Sequence, residues 1–406
     1  MNFLKVTDIK DIEELIFKKI PTLKGKKENC KLEDSLGRIL CEDIKATLNV
    51  PEFNRSTVDG YAIKSNESFG ASQGIPAFFT LKGEVLMGED TTKKLKSGEA
   101  IYVPTGAMIP DGADAMIMIE YCEILDDTLL VHKPVSKFEN IMLMGEDVKV
   151  DDIILKKGSI ITPENVGVLA SLGIYILPVF KKFTFSIIST GDEIIGEKEE
   201  YKMGKIRDIN SYTLSLAIQK FGIVVEKKIV KDNFETILEE VKKSTENSDI
   251  ILISGGSSAG NYDYTSKVIS LLDDGEVFVH GISIKPGKPT IIGRSKDKLI
   301  FGLPGHPISS MVVFNIIVKK LIESLYLQGD KDNFYYGTLS QNVHSTPGRT
   351  TYQMINQTVE NNEIIINPIF GKSGMTTLMT KSNGYIILEN NIEGLEKTSR
   401  VKVYKF

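Results

Sequence analysis

The sequence predicts a multidomain α/β and β protein: a central doubly wound α/β domain, an inserted β-rich module, a discontinuous N-terminal domain and a small C-terminal β-barrel-like domain. Three observations predict it. At 406 residues the chain is too long for a single hydrophobic core, and usual domain sizes give roughly two to four domains. Apolar strand-like runs alternate with helical patterns through residues 181–328, as in a parallel α/β sheet. Short apolar runs punctuated by Gly, Pro and Asp fill residues 51–140, and alternating runs fill 329–406, as β-rich units do.

Near the start, Ile9, Ile12, Leu15, Ile16 and Ile20 recur at near-helical spacing until Pro21, which predicts an amphipathic helix. The runs AFFTL, AIYVP, AMIMI and LLVH predict strands in the module at 51–140. Residues 141–180 return to a helix-like pattern, with Pro163 placed to open a helix. Residues 1–50 and 141–180 therefore read as one domain interrupted by the β module.

In the α/β region, FTFSIIST reads as a buried strand, Ser211 to Phe221 as a helix closed by Gly222, and IVVEKKIV as a strand. Asp232 is placed to cap the next helix. Ile250 to Ser254 is an apolar strand, Tyr264 to Leu272 a helix, and Leu299 to Leu303 a strand before a long helix from Pro307. The runs TTYQMINQTV, EIIINPIF, YIILEN and RVKVYKF predict the C-terminal strands.

With 41% hydrophobic and 25% charged residues the composition is that of a globular protein. The net charge of −5 and the dispersed Lys and Arg leave no long basic stretch for a phosphate backbone, so no nucleic-acid partner is expected. The segment MNFLKVTDIKDIEEL is unlike a secretory signal. The longest uncharged stretch, Val166 to Phe180, is broken by Gly167, Gly173 and Pro178 and is too short to span a bilayer. Cys30, Cys41 and Cys122 match neither a disulfide framework nor a zinc site, as expected of reduced thiols in a cytoplasmic protein. His132, His280, His306 and His344 form no two-His helical motif.

Open α/β sheets bind ligands at the carboxyl ends of their strands, and the segments there carry chemistry. Thr190-Gly191-Asp192-Glu193 follows one strand, Gly255-Gly256-Ser257-Ser258-Ala259-Gly260 and then Asp263 follow another, and Pro304-Gly305-His306-Pro307 follows a third. The GGSSAG loop offers backbone N–H groups and two hydroxyls to a phosphate, or is a flexible turn between strand and helix. Lys285 and Lys288 lie on a loop stiffened by Pro286 and Pro289, either preorganised for an anion or a solvated turn. Asp59, in PEFNRSTVDGYA, reads as an acid exposed on a turn or as an Asx-turn. The same alternatives hold for the segment around Thr105, with Asp111, Asp114 and Glu120.

Eight segments stand in order: PEFNRSTVDGYA, PTGAMIPDGADAMIMIE, MGEDV, STGDEI, GKIRDINSY, SGGSSAGNYD, KPGKPT and GLPGHP. Together they resemble the molybdopterin molybdenumtransferases, the family of the bacterial enzyme MoeA and of the receptor-anchoring gephyrin domain, along nearly the whole chain. Two positions depart from the common pattern: Val58 stands where Met is frequent, and His306 where Asn is.

The resemblance implies a molybdopterin-binding-like central domain, with molybdate and adenylated molybdopterin as substrates and molybdenum cofactor and AMP as products. It implies that Gly255, Gly256, Ser257, Ser258, Lys285, Lys288, Pro304 and Pro307 hold the pterin and nucleotide, faced by Asp59, Thr105 and Asp147. It further implies a homodimer whose sites include groups from both subunits, and an upstream molybdopterin adenylyltransferase as partner. Molybdate loses two oxo groups as water when a dithiolene replaces them, so an acid that supplies protons is useful; Asp59, Glu193, Asp232 and Asp263 are the catalytic candidates. Alternatively Asp59, Glu193 and Asp263 hold a divalent cation, expected to be Mg²⁺, because hard oxygen ligands without clustered Cys or His suit it. Two other activities compete: adenylation of molybdopterin with ATP, against which the N-terminal region and C-terminal β domain weigh, and an interaction scaffold without turnover.

Overall fold

A computed structural model describes residues 6–255, 261–326 and 334–405, the side chains of residues 261–263 excepted. The chain divides into two compact units, one of residues 1–28, 37–41 and 179–406 and the other of residues 29–36 and 42–178.

The first unit is built on a six-stranded sheet. Its strands lie in the order Gly222–Val230, Phe183–Thr190, Ile250–Gly255, Lys298–Leu303, Ile291–Ser295 and Glu276–His280. The first four run parallel, and the last two add antiparallel pairs. The expected parallel sheet is present in those four strands, and an antiparallel hairpin extends it at one edge. Ser295 pairs with Lys298 across a turn in which Lys296 takes φ +54°, and this turn has no Asn-Gly or Asp-Gly to advertise it.

Strands buried on both faces read as near-continuous apolar runs, and Phe183–Thr190 and Ile250–Gly255 are buried almost throughout. One face packs Ile12, Ile16 and Ile20 of the N-terminal helix, together with Phe185, Phe301 and Phe314. Burying one such side chain contributes roughly 1.5–3 kcal/mol, whereas an exposed helical ion pair such as Lys243–Glu239 is screened by water and contributes little. The apolar core therefore dominates. Gly222 does not close the preceding helix, which spans Asn210–Ile218; it opens the next strand, where an ideal Cβ would sit 2.4 Å from the Phe185 ring. Asp232 is not the helix cap either. Asn233 immediately precedes helix Phe234–Asn247, and its Oδ1 accepts from the Thr236 N–H and hydroxyl at 3.1 Å.

The long helix from Pro307 is α-helical over Pro307–Val313, π-helical over Phe314–Lys319 and α-helical again over Lys320–Tyr326. Its apolar face continues into the C-terminal domain, whose Tyr352, Leu378 and Tyr385 belong to the same core. There, strands Thr350–Glu360, Glu363–Pro368, Phe334–Leu339, Arg400–Lys405 and Gly384–Leu388 pair in sequence, and the last returns to the first to close a barrel. Alternation explains the closed form, since Ile355, Ile366, Ile386, Leu388 and Val403 point into a small separate core.

The second unit holds another six-stranded sheet, in the order Ala115–Met118, Gly60–Ile63, Glu99–Val103, Ala77–Glu84, Thr128–Val131 and Cys122–Leu125. The helix-like reading of residues 141–180 yields one helix, Pro163–Ser171, with a Thr162/Asn165 capping box. Short strands Ile141–Met142, Ile153–Leu155 and Ile176–Phe180 take up the rest of the pattern, because brief apolar runs do not separate helix from strand by period alone. The cysteines are unbridged. Burial first, and the Glu120 charge second, push the Cys122 thiol up to about 12, so it is not a nucleophile at neutral pH.

The Asn233 cap gives a measurable consequence. Asn233→Ala removes an N-cap acceptor, which costs about 1 kcal/mol, and is expected to lower the urea midpoint followed by far-UV circular dichroism. An unchanged midpoint would mean that the cap adds nothing to the stability of this domain.

Candidate active site

In the first unit the parallel strands end together: Thr190 pairs with Val230 on one side and Gly255 on the other, and Ser254 pairs with Leu303. The segments after them therefore share one rim. Glu193 is half-buried, and its carboxylate lies against Gly191, where an ideal Cβ would sit 2.8 Å from Oε2. The Asp232 N–H donates to Asp192 Oδ1 at 3.3 Å. Gly255 ends its strand, and a Cβ there would sit 3.0 Å from Thr190 Oγ1. Gly256, Ser257 and Ser258 lie outside the described residues; Asp263 falls on helix Asn261–Ser270, its side chain outside them.

Two polar residues that sequence reasoning left unassigned knit this rim. Asp208 accepts from Ser189 Oγ at 3.1 and 3.2 Å and from the Ser211 N–H at 3.1 Å. Asn210, 8% exposed, donates from Nδ2 to Ser254 Oγ at 2.6 Å and to the Gly305 carbonyl at 2.8 Å. It thereby ties the strand before the GGSSAG loop to the GLPGHP loop. The available signal was a polar Asp-x-Asn directly before a helix.

The segment Gly281–Thr290 joins strands Glu276–His280 and Ile291–Ser295 at the same rim. Its short strand Ile284–Lys285 adds in parallel to the barrel, pairing Ile284 with Thr350 and Lys285 with Thr351. A cavity of about 670 Å³ lies between this loop and the barrel. Lys285, Lys288, His306, His344 and Arg349 line it, and no carboxylate is among the described lining residues. Neither lysine nor Arg349 forms an ion pair among the described residues. Uncompensated cations around one concavity attract an anion, more strongly where water is partly excluded. Arg349 and His344 were missed because a lone Arg and His in a β domain carry no local signal; only the barrel's pairing with the loop brings them there. Pro307 occupies the first turn of its helix and Pro304 is buried beside it.

In the second unit, Asp59, Thr105 and Asp147 stand on three segments bonded to one another. The Ser56 N–H donates to Ala107 O, Met144 N–H to Asn54 Oδ1, and Asp147 N–H to Val50 O. Asp59 Oδ1 accepts from the Thr105 N–H at 2.7 Å and its hydroxyl at 3.0 Å. The backbone bond first, and the hydroxyl second, hold the exposed Asp59 carboxyl below its ordinary range. It is therefore an ionised acceptor at neutral pH and poorly suited to donate a proton. Asp147 is exposed.

Among the described residues no three or more His, Cys, Asp or Glu are grouped to hold a metal ion. Mg²⁺, however, is commonly held by one or two carboxylates plus substrate phosphates, and Asp192, Glu193 and Asp232 offer such carboxylates at the rim. No described helix is long and apolar enough to cross a membrane.

Comparison with known proteins agrees with this architecture. Residues 7–173 match the family described as the MoeA N-terminal region (domain I and II), residues 186–324 a probable molybdopterin binding domain, and residues 336–406 the MoeA C-terminal region (domain IV). The chain is 32% identical to a molybdopterin molybdenumtransferase of Staphylococcus aureus, covering 92% of this chain and 89% of that one. It is likewise 32% identical to one of Staphylococcus epidermidis, covering 92% and 90%. Its fold is similar to the crystal structure of a molybdopterin biosynthesis MoeA protein from Pyrococcus horikoshii, with a TM-score of 0.87, 34% identity and 99% of each chain covered.

The Asp59–Thr105 contact can be tested directly. Thr105→Val keeps the N–H but deletes the hydroxyl, so the Asp59 pKa is expected to rise toward its ordinary value while the fold is retained. Carbon-detected NMR titration of labelled aspartates would show one carboxyl protonating at higher pH in the variant. An identical titration would show that the hydroxyl does not hold this carboxylate.

Proposed function

Because the chain belongs to the MoeA family of molybdenum cofactor biosynthesis, matched along nearly its whole length, we propose that it is a molybdopterin molybdenumtransferase that inserts molybdate into adenylated molybdopterin and releases AMP. The observation that carries this reading at the site is the cavity lined by Lys285, Lys288 and Arg349 without a carboxylate, since every substrate of the reaction is an anion. A binding loop held in place before the ligand arrives loses little ordering entropy on binding, and pairing with the barrel holds Lys285.

Each sulfur that bonds to molybdenum replaces an oxo group, which leaves as water after taking up two protons. Water cleaves the adenylate phosphoanhydride to AMP and a pterin phosphate. Glu193 and Asp232, at the rim, are the groups we assign to holding and delivering protons, whereas Asp59 is kept ionised by Thr105. Asp263 remains a candidate from its sequence position. Alternatively the rim carboxylates hold Mg²⁺ instead of protons, and the ion would neutralise phosphate charge and polarise the scissile bond. Unbridged thiols are what a reducing compartment keeps, which supports a cytoplasmic enzyme. The adenylated substrate would be handed over by an upstream molybdopterin adenylyltransferase.

We assign a homodimer to the same reading. The Lys227 ammonium lies 4.5 Å over the Tyr212 ring, so helix Asn210–Ile218 and edge strand Gly222–Val230 share one surface. On it Leu216, Ile223 and Val225 are exposed by 63%, 51% and 46%. An apolar surface beside an unpaired strand edge favours burial against a second copy.

Incubating the protein with adenylated molybdopterin and molybdate should yield AMP and molybdenum cofactor, while ATP with unmodified molybdopterin should yield nothing. Chelation should abolish AMP release, and Mg²⁺ should restore it. Efficient adenylation from ATP would instead assign the preceding step, and full turnover by protein proven metal-free would remove Mg²⁺ from the mechanism.

Sedimentation velocity should show a dimer, and Leu216→Glu combined with Ile223→Glu should shift it to folded monomer. A double variant that stays dimeric would move the interface elsewhere.

A further inference from the structure

We propose that Asn210 is a positioning residue for the reaction. Its side-chain amide fixes the spacing between the strand end that leads into the GGSSAG loop and the GLPGHP loop, so that one pterin nucleotide meets both in register. This rests on the reading of those two loops as the pterin-nucleotide site.

Ser189, Ser254 and Leu303 pair side by side at the ends of three neighbouring parallel strands. Both serines are buried, and a buried hydroxyl needs a partner. The start of helix Asn210–Ile218 serves both through residues two apart. Asp208 accepts from Ser189 Oγ at 3.1 and 3.2 Å, and Asn210 Nδ2 donates to Ser254 Oγ at 2.6 Å. Asp208 also accepts from the Ser211 N–H at 3.1 Å, which holds this turn against the first strand. From that base the amide reaches the other two strand ends, because Nδ2 also donates to the Gly305 carbonyl at 2.8 Å. The far side of the GLPGHP loop is held by its own helix, where the Ser310 N–H donates to the His306 carbonyl at 3.0 Å.

An amide nitrogen carries two protons, and both are used here. A carbonyl only accepts, so Gly305 dictates which end of the amide faces it; a flip would set Oδ1 against another acceptor. In consequence Asn210 Oδ1 is buried with no hydrogen-bond partner among the described residues. An acceptor buried without a donor costs stability, so this amide is not arranged for stability alone.

A ligand that touches both loops gains from their spacing. Once one end is bound the other is already at its place, and no loop has to be ordered. AMP is the nucleotide end alone and gains nothing from that spacing. The joined substrate and its fragment therefore respond differently to loss of the tie, whereas a general loosening of the fold weakens both.

Calorimetric titration of the full chain with adenylated molybdopterin and with AMP, alongside urea unfolding, tests this. Asn210→Ala should bind adenylated molybdopterin about tenfold more weakly, the worth of one hydrogen bond, and AMP as wild type does. Ser254→Ala deletes one of the two acceptors and keeps the amide, so it should weaken the joined substrate less. Added to Asn210→Ala it should cause no further loss, because both variants break one tie. Equal weakening of both ligands by Asn210→Ala, or weakening of neither, overturns the proposal. If that variant does not fold, Ser254→Ala decides by the same comparison: a weaker joined substrate with AMP unchanged supports the tie, and any other pattern removes it. If wild-type protein binds neither ligand, the reading of these loops as the pterin-nucleotide site fails first, and the proposal falls with it.

Discussion

Ile284 and Lys285 pair in parallel with Thr350 and Thr351, and the chemistry of the first unit depends on that short strand. It belongs by sequence to the α/β domain and by hydrogen bonding to the barrel. Thr350 donates to the Ser283 carbonyl and Ser283 donates to the Thr7 carbonyl, so the N-terminal segment is drawn into the same junction. Without it, the lysine loop would be a surface turn and Arg349 an isolated cation. With it, both face one cavity.

The junction is stabilised by the core beneath it. Ile12 and Ile16, Phe301, Phe314 and Tyr385 come from the N-terminal helix, the sheet, the helix after GLPGHP and the barrel, yet they belong to one buried cluster. Such a core is close-packed and transmits displacement rather than absorbing it. The positions of His306, at the start of that helix, and of Ser373, on the barrel, are therefore set together. A cation cluster that repelled itself in solution is held in place by apolar burial elsewhere.

The acids follow a different logic. Asp59 is ionised because two donors of Thr105 converge on one of its oxygens, while Glu193 and Asp232 stand on loops at the ends of parallel strands. One type of side chain is thus prepared for different tasks by local hydrogen bonding. The rim is further ordered by Asn210, whose amide joins two of its loops. The sequence order of motifs was enough to identify the family, since eight matched segments constrain each other even though each is weak alone. It was not enough to rank the acids.

Much of the fold was legible in local pattern. The buried strands Phe183–Thr190 and Ile250–Gly255 announce themselves as apolar runs, and the helix at Ile12–Lys19 by its period. Errors arose where two neighbouring residues compete for one role, as Asp232 and Asn233 do for a helix cap, or where a hairpin lacks its usual turn residues, as at Lys296. Lysines framed by prolines could be singled out from the chain alone, because their chemistry is local. The residues that complete their cavity could not. Arg349, His344 and Ser373 come from a barrel more than fifty residues downstream of Lys288, and no period or spacing encodes which strand edge will accept Ile284–Lys285. That pairing is decided by long-range burial and hydrogen bonding, and so by the tertiary structure.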